Sequence, residues 1–205
     1  MSWIFFALYG VCSAAHLWFC LRPGRRWQDF TKVLLMPLLL TAAIWAGSPL
    51  LLQAALFLGW LGDVFLLYPE RPALFLAGLG CFLAGHVCYI PALFPQRRLD
   101  VLPLVLLGAV LAAVGAGLFF SLRRDIPRGM TIPSLAYLIV ILAMAWTAFA
   151  TLKPAFLAGA ALFIASDYIL ARGLFRSKGR YGDFVVMLTY LSAQFLLTMG
   201  LCGFF

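Results

Sequence analysis

An all-α, polytopic transmembrane helical bundle of about eight spans is the fold class this sequence predicts, and three observations predict it. Of 205 residues, 65% are hydrophobic and 11% charged, and the mean hydropathy of +1.04 lies far outside soluble-domain composition. Polar or Pro/Gly breaks divide the chain into apolar segments at roughly 2–21, 31–47, 49–68, 72–94, 101–120, 132–151, 154–173 and 184–204, most of them near the ~20 residues a bilayer span requires. Little chain lies between the segments, so 1–205 reads as a single transmembrane domain whose chemistry lies inside the bundle or at its rim.

The first segment has no basic residue before it and a basic cluster after it, so it reads as a retained span rather than a signal peptide. Segments two and three are joined only by Gly47, Ser48 and Pro49, and six and seven by little more than Lys153 and Pro154, which predicts two tight helical hairpins. Segment four carries a stripe of small residues, Gly78, Cys81, Gly85 and Cys88, that reads as close helix packing. All five cysteines lie in apolar stretches without a CxxC pair or a His at ligand spacing, and read as packing residues.

The net charge of +8 would raise nucleic-acid binding in a soluble protein; here the loops account for it. Arg22, Arg25, Arg26, Lys32, Arg71, Arg123, Arg124, Arg128, Arg172, Arg176, Lys178 and Arg180 follow odd-numbered spans, against Arg97, Arg98 and Lys153 on the other side. By the positive-inside rule these 12 against 3 put the odd-numbered loops in the cytoplasm and both termini outside. The expected location is a bacterial inner (plasma) membrane.

Ionisable groups inside a span are costly, and each is a functional hypothesis. Two aspartates qualify, Asp63 in GWLGDVFLL and Asp167 in LFIASDYIL, each with a small residue just before it and apolar or aromatic residues after it. Both are expected five or six residues before a cytoplasmic span end, roughly 8 Å deep. The same topology brings His16, Lys32 and Tyr190 to that layer, whereas His86 and Tyr89 lie deeper and further out, where a structural hydrogen bond is the expected role. Tyr190 and Gln194 share a helix face, where lining a site and binding another helix stand equal. Asp63 to His86 and Asp167 to Tyr190 are both 23 residues, an offset of 104 that points to a faint parallel repeat of four spans. The bland alternative for either aspartate is a protonated interhelical hydrogen bond.

The strings LGWLGDVFLL, FLAGHVCYIPALF, GAALFIASDYILA and TYLSAQFLL, in that order, resemble the YhhN-type lysoplasmalogenase family over essentially the whole chain. TKVLLMPLL of span two looks like its Lys-Pro-containing second helix, except that Val33 follows Lys32 where the family usually has proline. The resemblance implies hydrolysis of the vinyl-ether bond of a lysoplasmalogen to a fatty aldehyde and a glycerophospho-ethanolamine or glycerophosphocholine. Such cleavage protonates the β carbon of the enol ether and lets water capture the oxocarbenium ion. Two carboxylates can divide that work as in glycoside hydrolysis. Asp63 and Asp167 are the expected pair, facing one shared cavity, with acid and base unassigned. His16 and Tyr190 are candidates to orient water, and Lys32 with loop arginines to hold the phosphate. The partners are then a lyso-ether phospholipid and water, with no metal, organic cofactor or nucleic acid. A small proton-coupled transporter is the chief alternative. It requires polar residues through both leaflets, whereas the outer half here holds mainly His86. A noncatalytic scaffold has little extramembrane surface to present.

Overall fold

A computed structural model describes residues 2–22, 24–177 and 179–204, so Lys178, counted above among the basic loop residues, lies outside the described residues. Eight α-helices run through them: α1 (Ser2–Cys20), α2 (Arg25–Trp45), α3 (Leu50–Phe65), α4 (Pro72–Leu93), α5 (Val101–Leu122), α6 (Thr131–Phe149), α7 (Pro154–Phe175) and α8 (Gly182–Leu201), with short 3₁₀ turns at Phe94–Gln96 and Arg128–Met130. Six helical stretches are long and apolar enough to cross a bilayer, those of α1, α4, α5, α6, α7 and α8. The protein is therefore an all-α, polytopic integral membrane protein.

The remaining two helices differ from the expected spans for identifiable reasons. α2 starts at Arg25, six residues before the apolar segment, so Arg25, Arg26, Asp29 and Lys32 are helical rather than loop residues. α3 has 16 residues, about 24 Å, because Pro69 has no N–H to give Phe65 and its ring would clash with that carbonyl. After Phe65 the chain closes in turns, Leu67 N–H to Val64 O and Tyr68 N–H to Phe65 O.

The chain forms two compact units, one from the described residues of Met1–Ala92 and Thr198–Phe205, the other from Leu93–Leu197. In the first, α1 packs on α2 and α2 on α3. The α2–α3 turn closes as a Schellman cap: Gly47 N–H bonds Ile44 O, Ser48 N–H bonds Ala43 O, and Gly47 takes the left-handed φ of 72°. Two stripe residues meet α3 closely, since a Cβ at Gly85 would fall 3.2 Å from Ala55 O and one at Gly78 2.9 Å from the Leu66 side chain. In the second unit α6 packs on both α5 and α7. α5 leaves Val101, Leu102, Val105, Leu106 and Val110 exposed, as a helix facing lipid does.

Candidate functional site

Within the first unit, Pro37 inside α2 cannot donate to the carbonyl four residues earlier, that of Val33. The Trp60 indole N–H of α3 donates to it instead, at 3.1 Å, which fixes α3 against α2. Asp63 lies three residues on, on the same α3 face, and the Lys32 ammonium is 3.4 Å from its Oδ1. Asp63 is buried at 3% exposure. It stands in the last turn of α3, where the helix dipole disfavours an anion, so the nearby cation offsets both burial and dipole. Arg25, one heptad before Lys32 on the same α2 face, donates to Leu67 O at 3.1 Å. The sequence reading gave Lys32 to a substrate phosphate; the structure sets it beside Asp63. The Gly62 position before the aspartate serves packing, for a Cβ there would fall 2.6 Å from the Phe82 ring of α4.

His16 is buried on α1, its Nδ1 2.8 Å from Thr31 Oγ1 and its Nε2 3.5 Å from Cys20 Sγ. Thr31 donates its hydroxyl proton to Trp27 O at 2.7 Å, so the network assigns the imidazole proton to Nδ1 and leaves Nε2 to accept from the thiol. Nδ1 thus ties α1 to α2 next to Lys32, while the Nε2 contact stays within α1. His86 is buried on α4.

Within the second unit, Asp167 is half-buried and accepts a 2.6 Å hydrogen bond from the Tyr137 hydroxyl of α6. It lies eight residues before the end of α7, where Asp63 lies two before the end of α3, so the two aspartates stand at different distances from their helix ends. Ser166 is buried and donates to Val186 O of α8 at 3.1 Å. Tyr190 sits edge-on to Phe163, and Gln194 Nε2 donates to its hydroxyl at 3.4 Å; both are buried.

Sequence reasoning missed Tyr137, Thr31 and Trp60. Tyr137 was open to the argument that found Tyr190, since it is the seventh residue of a helix beginning on the side where α7 ends. The offset of 104 recurs in contacts: Gly62 against Phe82 in one unit, Ser166 against Val186 in the other. Among the described residues no three His, Cys, Asp or Glu side chains gather at metal-ligand spacing.

The YhhN family model matches residues 27–201, which takes in both aspartates and the residues that meet them. The chain belongs to the YhhN family. Among YhhN-like relatives, the lysoplasmalogenase TMEM86B of Homo sapiens is 33% identical over 168 residues, 79% of this chain and 70% of the human one. The rat protein of that name is 34% identical over 167 residues, 79% and 68%. A lysoplasmalogenase of Mycobacterium bovis is 32% identical over 157 residues, 73% of this chain and 59% of its own length. No solved structure matches.

Proposed function

We propose that this YhhN-family protein is an intramembrane hydrolase of lysoplasmalogens, releasing a fatty aldehyde and a glycerophospho-ethanolamine or glycerophosphocholine, with Asp63 and Asp167 as its proton-transferring carboxylates. The observation that carries the reading is a pair of aspartates in apolar helices, each given a polar partner by the preceding helix, in a chain one third identical to named lysoplasmalogenases over most of its length.

The chemistry needs one proton delivered to carbon, one anion near a developing cation, and one water deprotonated on attack. Protonation of the β carbon turns the vinyl ether into an oxocarbenium ion. Water adds to its α carbon and loses a proton, and the hemiacetal collapses with transfer of a proton to the glycerol oxygen. One carboxyl gives a proton to carbon and the other takes one from water; on collapse the hemiacetal hydroxyl proton passes to the first and the second protonates the glycerol oxygen, so both end as they began. Asp63 held against an ammonium suits an anionic duty, and Asp167 bonded to a phenol suits proton delivery. His16, Tyr190, Gln194 and His86 are buried side chains, and any contact they make with substrate or water is part of the proposal. The substrate's single chain enters from lipid, the membrane is the bacterial plasma membrane, and both termini are external; a cysteine at Ser177 is then labelled by impermeant reagents from the cytoplasm alone.

The test is aldehyde release by the purified protein from alkenyl lyso-phosphatidylethanolamine and lyso-phosphatidylcholine in nanodiscs. Stoichiometric aldehyde and glycerophosphodiester are expected. No aldehyde from either lipid, with proton-coupled flux in sealed vesicles, would overturn the hydrolase in favour of a transporter.

A further inference from the structure

The second unit holds a cavity of about 610 Å³ at the ends of α5 and α7, lined by Phe120, Ser121, Arg123, Arg124 and Arg176. We propose that this pocket receives the phosphate diester of the single-chain ether lipid. The proposal rests on the hydrolase reading and adds to it the group that anchors the substrate.

Three guanidiniums line the cavity, and one carboxylate, Asp125, meets that of Arg176. Asp125 Oδ2 accepts from Arg176 Nε at 2.8 Å, and Arg176 Nη2 donates to Ser121 O at 3.3 Å. Arg176 is thereby held in a fixed orientation by groups that account for part of its five donors. Arg123 lies over the Phe120 ring, 5.9 Å from its centroid, and both Arg123 and Arg124 are exposed. Three cations against one anion leave an excess of positive charge in a concave site. That site stands where two membrane-spanning helices end, the level of lipid headgroups. Phosphate is the anion whose tetrahedral oxygens take several guanidinium donors at once.

The spacing to Asp167 fits the same ligand. Arg176 is nine residues beyond Asp167, about 13 Å along α7, and side chains lean toward a helix N-terminus, which shortens the gap. From phosphorus to the β carbon of an sn-1 vinyl ether is seven bonds, about 8–9 Å extended. A lipid with its phosphate on the arginines can therefore bring its enol ether to the level of Asp167. Ser121, whose carbonyl helps hold Arg176, also places its Oγ 3.1 Å from the hydroxyl of Tyr168, the residue after Asp167.

The experiment compares wild type with Arg123→Gln/Arg124→Gln, leaving the Arg176–Asp125 pair intact, in nanodiscs of a phosphate-free galactolipid. Expected is a KM for lysoplasmalogen raised about tenfold or more, kcat within about twofold, and an unchanged KM for the phosphate-free 1-alkenylglycerol. Equal changes for both substrates, or none for the phospholipid, would overturn it. Binding of the non-hydrolysable 1-O-alkyl-glycerophosphoethanolamine, followed by native mass spectrometry, reads the pocket without turnover. Weakened binding in the double variant supports the pocket even where wild type releases no aldehyde, a result that defeats only the hydrolase reading. Competition by inorganic phosphate supports a phosphate site. Equal binding of two-chain phospholipid, lost in the same variant, marks a bilayer-lipid site and contradicts the substrate assignment. Binding that the double variant leaves unchanged also contradicts it.

Discussion

Asp63 and Asp167 stand in segments that read almost alike, yet their surroundings differ in charge, burial and place on the helix. Asp63 is buried in the last turn of a short helix beside an ammonium; Asp167 is half-buried, eight residues from the end of a long one, beside a phenol. In both cases the partner comes from the preceding helix, α2 or α6, at positions 105 residues apart, one off the 104 that separates the aspartates. What the two regions share is packing: a small residue before the aspartate lets the following helix approach. Besides burial and place on the helix, they differ in the partner side chain, a cation in one place and a neutral hydroxyl in the other. Like motifs with unlike partners are how one chain can hold an anion at one carboxyl and move a proton at another.

The two partners differ in what their removal costs. Lys32→Met leaves a buried carboxylate without its counter-ion and is expected to lose about 3 kcal/mol, read as thermal unfolding in detergent, with most of it regained in Lys32→Met/Asp63→Asn. Failure of the second change to restore stability would break the ion-pair account. Tyr137→Phe removes one hydrogen bond to a carboxyl and is expected to cost about 2 kcal/mol. It should also lower kcat more than it raises KM, which a merely structural tyrosine would not do.

The two hairpins give the smallest effect. Gly47 and Leu152 both sit just past a helix end with left-handed φ, 72° and 58°, and leucine there carries a steric penalty that glycine does not. Leu152→Gly is expected to stabilise by up to about 1 kcal/mol, while Gly47→Leu should destabilise by about 1–2 kcal/mol. Opposite signs at the two turns are the prediction, and equal signs would contradict it.

Hydropathy and Pro/Gly breaks reveal the helices because the bilayer demands long apolar runs, and the tight α2–α3 turn follows from Gly47 and Pro49 standing between two such runs. The extra turns of α2 did not show, because Arg25, Arg26 and Asp29 interrupt the apolar pattern and a helix can continue past its apolar stretch into water. Nor did the early end of α3, although Pro69 marks it once its clash with Phe65 is considered. Asp63 and Asp167 stand out as carboxyls in apolar helices. Their pairing does not: Lys32 falls in the same layer but reads as a phosphate ligand or topology signal, and Tyr137 in an apolar run reads as packing until the depth argument that found Tyr190 is applied to it. The Trp60–Val33 bond was available from Pro37, which leaves one carbonyl in need of a donor.

The central claim is that both carboxyls transfer protons in hydrolysis of the vinyl ether. Aldehyde release from a lysoplasmalogen by Asp63→Asn and by Asp167→Asn, each inserted and folded in nanodiscs, tests it most directly. The amide keeps the shape and loses both the transferable proton and the charge, so each variant is expected to fall at least about 100-fold in kcat. Asparagine variants that keep most of the wild-type rate would show that the aspartates only hold helices together, and would contradict the claim.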